Sequence, residues 1–189
     1  MISWKSIVVG LTILFTLVSV SATEPTGENP PQMVTGAPAQ MKEIAYLEGN
    51  WDVDMQWQNM EDTTKWDNSK GICTYRYILD GCAMECLLTS DMSGIPVSGY
   101  MLTSYDREKS EWQSIWIDNM GSRMSFYTGN KNDGNMILIG EEMWQGQKYL
   151  SRTVIFNETP TSFEWTMDNS YDGGKTWQTI EKAKYTKSK

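Results

Sequence analysis

Five ionisable side chains lie within runs of aromatic and β-branched residues, where a charged group needs a partner. They are Asp118, Glu142, Arg152, Glu164 and Glu181. An arginine in such a setting can bind a ligand carboxylate or phosphate through two parallel hydrogen bonds. Arg152 can equally be neutralised by Glu164 in a structural pair, because a buried charge is tolerated only with its partner. The set therefore suggests ligand recognition, a structural network or carboxylate chemistry.

The chain contains no histidine. This absence removes the commonest general base and metal ligand, the axial histidine of haem-binding barrels, and any Ser–His or Cys–His nucleophile. Cys82 and Cys86 lie too far apart along one extended segment to chelate zinc readily. We therefore expect no metal site and no cofactor, and we assign no catalytic residue. Whether the protein is an enzyme stays open, with a non-enzymatic role favoured.

Aromatic and methionine side chains alternate along two neighbouring predicted strands. Trp116 and Asp118 share one strand face, and Met101 and Tyr105 share a face of the strand before it. Such side chains suit a pocket for a flat or greasy molecule. The alternative is a small barrel that fills its interior with large side chains. The predicted ligand-binding set is Met101, Tyr105, Trp116, Asp118, Glu142, Arg152 and Glu164.

Ten short β-like runs, separated by turn residues, must position these side chains. They are predicted near 50–58, 71–79, 82–90, 99–105, 112–118, 122–129, 135–143, 149–157, 162–168 and 176–186, after a short N-terminal helix. Asp80-Gly81 is predicted to form a two-residue turn, and Pro96 and Pro160 to interrupt pairing because proline lacks a backbone donor. The pattern predicts an all-β, antiparallel up-and-down barrel of about ten strands, with a β-sandwich as the competitor.

The first predicted strand begins at Gly49-Asn50-Trp51. A glycine just before a tryptophan lets the chain turn sharply, so that the indole closes one end of a barrel. Lys182 or Lys184 on the last strand is expected to place its cation on that ring.

The segment 170–177, Ser-Tyr-Asp-Gly-Gly-Lys-Thr-Trp, matches the Asp-box of sialidase propellers. A propeller would need several copies, whereas this chain has one. We expect Asp172 to accept hydrogen bonds from turn amides and Trp177 to cover the hairpin, which makes the motif a stable turn.

Three cysteines, Cys73, Cys82 and Cys86, are an odd number for a secreted disulfide scaffold. The Asp80-Gly81 turn would place Tyr75 opposite Cys86, and Cys73 as a diagonal neighbour of Cys86. That separation exceeds what a relaxed disulfide prefers. We expect small buried hydrophobic residues, with a Cys73–Cys86 disulfide as the alternative.

The N-terminal residues 1–22 are typical of a secretory signal peptide. Lys5 supplies the positive charge, 7–18 is the apolar region, and Val20-Ser21-Ala22 is the cleavage pattern. The apolar run is short for a membrane span, and an uncleaved anchor is the alternative. Residues 23–40 are predicted to be a disordered spacer, and 41–187 the barrel domain. We expect a periplasmic or extracellular protein with no stable membrane span after cleavage.

The net charge of −8 and the pI near 4.6 argue against nucleic acid or anionic lipid as the main partner. The partner expected instead is a small apolar or anionic ligand. The sequence leaves the oligomeric state open.

Several elements in fixed order resemble one family. They are 47–51 (Leu-Glu-Gly-Asn-Trp), 77–81 (Tyr-Ile-Leu-Asp-Gly), Gly99-Tyr100, 116–121 (Trp-Ile-Asp-Asn-Met-Gly) and Phe163-Glu164. Together they resemble the exported bacterial proteins of the domain of unknown function family 1579, in the calycin (lipocalin-like) superfamily. The resemblance covers about residues 41–187, and it implies a calycin-like barrel with no established activity. Members of that family usually have two consecutive glycines at this hairpin, where this chain has Gly81-Cys82.

These observations favour non-enzymatic binding of a small, partly apolar ligand inside the barrel. The alternatives are a carboxylate-based hydrolase or isomerase, and an envelope structural or interaction module with a filled barrel. A mostly apolar cavity of roughly 300 Å³ or more would favour binding.

Overall fold

Ten antiparallel strands close into a barrel in which each strand pairs with its sequence neighbours and the last pairs with the first. The structure, a computed structural model, describes residues 34–59, 61–121 and 123–189. A 3-10 helix, Ala39–Leu47, precedes the first strand. The predicted all-β up-and-down barrel with a short N-terminal helix is confirmed. The expected signal peptide at 1–22 and most of the expected spacer at 23–40 lie outside the described residues.

The strands have the following bounds: β1 Gly49–Gln58, β2 Trp66–Ile78, β3 Ala83–Met92, β4 Ile95–Asp106, β5 Glu111–Asp118, β6 Ser125–Asn132, β7 Asn135–Trp144, β8 Gln147–Phe156, β9 Ser162–Ser170 and β10 Gln178–Lys187. Each strand overlaps one of the ten predicted runs. The largest differences are at the starts of β2 and β4, which begin earlier than predicted.

Pro96 does not interrupt pairing, contrary to the prediction. It lies inside β4, opposite Asp91 of β3. The backbone nitrogen of Ser98 points toward the β5 side, where it donates to the Asn119 side chain, and the nitrogen of Pro96 faces the same side. Since β5 ends at Asp118, no ladder partner stands opposite the proline nitrogen, and its missing donor costs nothing.

The connection between β2 and β3 is longer than the predicted two-residue turn. It runs through a short 3-10 turn, Leu79–Gly81, whose residues all have positive φ. The register beyond it is the predicted one, with Tyr75 opposite Cys86. Cys73 and Cys86 are buried free thiols with their sulfur atoms 2.6 Å apart. Burial raises the pKa of the Cys73 thiol, so this side chain packs as a small neutral group.

Trp51 closes one end of the barrel. Its side chain is fully buried, its indole N–H donates to the Leu47 carbonyl at 2.6 Å, and its ring meets Phe163 edge-on at 4.9 Å. Phe163 in turn stacks on Tyr185 at 4.3 Å. Gly49 turns the chain from the helix into β1 with a φ of +121°, a conformation that L side chains rarely adopt.

The cation on Trp51 comes from Lys187, three residues beyond the nearer predicted lysine. Its ammonium lies 4.7 Å from the centre of the Trp51 ring. Lys182 lies instead over Trp66, at 3.9 Å. The expectation for Lys182 or Lys184 is therefore wrong, because even-numbered residues of this part of β10 point outward, and Lys187 reaches the closed end from the strand terminus.

Candidate functional site

The barrel contains a cavity of about 470 Å³. Residues at or near the ends of the odd-numbered strands line its mouth, among them Met92, Asp118 and Trp144. Trp51, at the opposite end, is not on the cavity wall. The space is therefore blind at the Trp51 end and opens between the connections at the other end.

Methionines and aromatic rings make up much of the wall. Prominent among them are Met55, Met84, Met101, Met136, Met167, Trp57, Trp116, Tyr127, Trp165 and Tyr185. Of the predicted binding residues, Met101 and Trp116 lie on this wall. Tyr105 does not, because its ring packs edge-on against Trp112 at 5.4 Å beneath the cavity. The interior is thus not filled throughout by side chains, contrary to the filled-barrel alternative.

Asp118 holds one section of the wall in place. Its Oδ2 accepts the Trp116 indole N–H at 2.7 Å, and its Oδ1 accepts the backbone N–H groups of Met120 at 2.9 Å and Gly121 at 2.7 Å. The indole lies against Gly99, where an added Cβ would come within 2.0 Å of the ring. The carboxylate is occupied by these bonds, so Asp118 positions the wall and the loop after β5.

Glu142 lies on the wall near the end of β7 and is 8 % exposed. Its Oε2 is 3.1 Å from the Arg123 guanidinium, which also donates to the Met143 carbonyl. Its Oε1 is buried and has no hydrogen-bond partner among the described residues. Arg123, which sequence analysis did not single out, thus neutralises a predicted site residue while leaving one of its oxygens bare.

Glu181 faces the cavity beside a β-bulge. The bulge falls between Thr179 and Glu181 in the pairing of β10 with β9, and it places both Ile180 and Glu181 on the wall. The carboxyl has no hydrogen-bond or ion-pair partner in the described part of the chain. Burial, together with the negative charge of Asp118, raises its pKa to about 7. Near neutral pH this group therefore exchanges between its acid and carboxylate forms.

Two further polar groups face each other on the same side of the barrel. Ser151 of β8 is paired directly with Asn169 of β9, and both line the cavity. Ser151 lies beside the Tyr127 hydroxyl, whose pKa burial raises to about 12. The Asn169 Oδ1 is buried without a partner in the described structure. With Glu142 they form a polar section in an otherwise apolar wall.

Arg152 and Glu164 lie on the outer face of the barrel. Arg152 donates from Nε and Nη2 to Asp168 at 3.0 and 2.8 Å, and its guanidinium lies 4.3 Å from the centre of the Trp177 ring. Because strand side chains alternate, the neighbours of Arg152 face the cavity and Arg152 itself cannot. The prediction that Arg152 and Glu164 bind a ligand inside the barrel is therefore wrong. The suggested Arg152–Glu164 pair is not formed either, because the partner of Arg152 is Asp168.

The Asp172 loop forms part of this outer cluster. Asp172 accepts hydrogen bonds from the Thr176 hydroxyl at 2.6 Å and from the backbone N–H groups of Lys175 and Thr176 at 3.0 and 2.9 Å. These bonds, the Thr176 hydroxyl first, lower the pKa of Asp172 to about 2. The Trp177 indole donates to the Gly174 carbonyl at 3.1 Å. The loop thus holds Trp177 over Arg152, away from the cavity.

Two further features bear on the chemistry of the site. Within residues 34–59, 61–121 and 123–189, no group of three or more cysteine and carboxylate side chains is placed to hold a metal ion. Over the same residues, no helix has the length and apolar character needed to cross a membrane.

A closed ten-stranded antiparallel barrel, with a blind end sealed by the Gly-x-Trp turn and an open internal cavity, defines a calycin-like, lipocalin-like protein. Within that class, the chain belongs to the DUF1579 family, described as a protein of unknown function, whose model matches residues 38–187. No match was found among curated proteins.

Two solved structures have similar folds. One is the S-type phycobiliprotein lyase CPES from Guillardia theta, with a TM-score of 0.51 and 10 % identity, covering 78 % of this chain and 92 % of that one. The other is Rv2717c from M. tuberculosis, with a TM-score of 0.57 and 8 % identity, covering 81 % of this chain and 99 % of that one. At these identities the similarity shows a shared fold alone.

Sequence reasoning missed Arg123, Ser151 and Asn169, and it left Glu181 out of the binding set. Side chains alternate along β8, so a prediction that Arg152 faces inward places its neighbour Ser151 on the outside. Glu181 lies on the same face of β10 as Ala183 and Tyr185, whereas the inward position of Ile180 depends on a bulge, for which the sequence offers no glycine or proline signal. Arg123 lies in a connection, where strand alternation gives no direction.

Proposed function

We propose that this protein binds a small, partly apolar molecule in the barrel cavity without altering it chemically. The observation that carries the proposal is the cavity itself. Its volume of about 470 Å³ falls within the range of small-molecule sites, roughly 300 to 1,000 Å³. Its walls combine methionine and aromatic side chains with a few polar groups, the composition typical of such sites.

The test is a pair of neighbouring substitutions on β8. Thr153 lines the cavity, whereas Val154 is not on its wall. Thr153→Phe fills the cavity, and Val154→Phe adds a ring of the same kind on the outer face. We expect Thr153→Phe to weaken binding of an apolar fluorescent probe at least tenfold. The affinity of Val154→Phe for the same probe should be close to that of the unmodified protein. Circular dichroism checks that both variants are folded. Equal probe binding by the two variants would contradict an interior site.

One observation favours the alternative of carboxylate chemistry. Glu181 is a cavity carboxyl without a partner among the described residues, and its pKa is raised to about 7, the property expected of a general acid or base. Asp118, the other candidate, is occupied by three hydrogen bonds. The two functions are separated by incubating a co-purifying ligand with the protein and with Glu181→Gln. A ligand recovered unchanged from both supports binding, whereas conversion by the unmodified protein alone supports catalysis.

Export is proposed on sequence grounds. The pattern of 1–22 is the support for a cleaved signal peptide and for a periplasmic or extracellular location. Mass measurement of the protein from its own cells tests this: cleavage predicts a mature chain that begins at Thr23.

A further inference from the structure

The charged side chains around the cavity are unevenly matched. Asp118, Glu142 and Glu181 are acidic, and Arg123 is the sole basic side chain among the described residues of the wall. The Arg123 guanidinium is bonded to Glu142 and to the Met143 carbonyl. No cation on the described wall is therefore left to receive an anionic ligand, and a buried anion without a partner is costly.

The unfilled hydrogen-bonding capacity of the wall consists largely of acceptors. Glu142 is more than nine-tenths buried on the wall and has a bare Oε1. Glu181 has neither an ion pair nor a hydrogen bond within the described structure. A ligand that brings N–H donors would satisfy both groups, whereas a ligand carboxylate or phosphate would add a further negative charge beside them.

Strand alternation directs Glu181 into the cavity, on the same face of β10 as Tyr185. The Thr179 side chain, just before the bulge, points outward, and its hydroxyl donates to Asp168 at 2.6 Å. After the bulge, Ile180 and Glu181 both lie on the cavity wall. The repulsion between Glu181 and Asp118, which contributes to the raised pKa of Glu181, would be relieved by a positive charge placed near them.

From this geometry we propose that the cavity selects an apolar molecule that carries a basic nitrogen, an amine, which Glu181 binds as an ion pair and Glu142 Oε1 supports. The inference rests on the proposed binding function, and it narrows the ligand class. It differs from the small apolar or anionic ligand expected from the sequence, for which Arg152 was the candidate polar anchor, because Arg152 is bonded to Asp168 on the outer face.

Three probes with one apolar body test this proposal: decylamine, decanol and decanoate, titrated by calorimetry at pH 7.5 and physiological salt. The amine is expected to bind at least about tenfold more tightly than the alcohol, because a charge-assisted hydrogen bond is gained, and decanoate is expected to bind most weakly. Glu181→Gln should reduce the advantage of the amine over the alcohol to less than about threefold.

Glu141→Gln is the matched control, because Glu141 lies next to Glu142 on the same strand but is exposed. It removes the same charge from the molecule and should keep the amine preference intact. Tightest binding of decanoate, equal binding of amine and alcohol, or an unchanged preference in Glu181→Gln would overturn this inference while leaving the binding function in place. Failure of all three probes to bind would overturn both. If a variant does not fold, the order of the three affinities for the unmodified protein still tests the proposal.

Discussion

At the scale of single residues, two carboxyl groups on one wall behave differently because of their partners. Asp118 accepts three hydrogen bonds and organises the wall around Trp116. Glu181 has none in the described structure, and its pKa is raised to about 7 by burial and by Asp118. Because no described residue pairs with the Glu181 carboxyl, this group is available to a ligand, whereas Asp118 is occupied.

The raised pKa of Glu181 makes stability depend on pH. The folded protein holds this proton up to about pH 7, while the unfolded chain releases it near 4.5, so stability falls as pH rises between these values. Asp118, Glu142 and Arg123 are the charged described groups that share its cavity. We expect Glu181→Gln to remove this fall. Between pH 5 and pH 8, the free energy of unfolding of the unmodified protein should fall by roughly 2 kcal/mol more than that of Glu181→Gln. This value is discounted for the solvent-accessible cavity.

Denaturant unfolding at both pH values measures this gain, and Glu141→Gln is again the control. A free energy of unfolding that changes with pH equally in Glu181→Gln and in the unmodified protein would show that the pKa of Glu181 is not raised.

At the scale of elements, alternation along strands assigns most side chains to the inside or the outside. The predicted runs and the register of β2 with β3 were confirmed, because turn residues and a period of two fix them. Alternation alone does not say which face of β8 is inside, and the prediction of Arg152 as a ligand-binding residue assumed the wrong face. Its true partner is Asp168, on the outer surface.

Arg152 should therefore matter for stability and not for binding. Asp168 is 4 % exposed, and Arg152→Met would leave this carboxylate without its cation. We expect a loss on the order of 2 kcal/mol in the free energy of unfolding, reduced from that of a fully buried pair by the partial exposure of Arg152. Binding of decanol below the unfolding transition should be unchanged. A folded Arg152→Met protein that no longer binds decanol would contradict the outer-face assignment.

Trp51 and Trp144 give a second contrast, between the closed and the open end of the barrel. Trp51 is fully buried, whereas Trp144 at the mouth is 59 % exposed. Trp51→Ala is expected to cost about 3 to 5 kcal/mol, because it leaves a cavity and removes the hydrogen bond to Leu47. Trp144→Ala should cost less than about 1 kcal/mol. Thermal unfolding of the two variants provides the measurement, and similar losses would contradict the assignment of the two ends.

At the scale of the whole molecule, the barrel separates stability from recognition. Trp51, Phe163 and Tyr185 seal one end, and the cavity carboxyl groups of Glu142 and Glu181 lie toward the other. The sequence predicted ten turn-separated strands and favoured a barrel, but it left a β-sandwich as the competitor, which the pairing of β1 with β10 excludes. It was insufficient for the cavity, since methionines and aromatic rings fill a barrel or line a space equally well, and packing alone decides.

The most direct test of the binding function is native mass spectrometry of the protein purified without detergent from its own cells. We predict an additional mass that disappears under denaturing conditions, that Val154→Phe retains and that Thr153→Phe lacks. The same additional mass on Thr153→Phe, or none on the unmodified protein, would contradict the account that the cavity holds a small ligand.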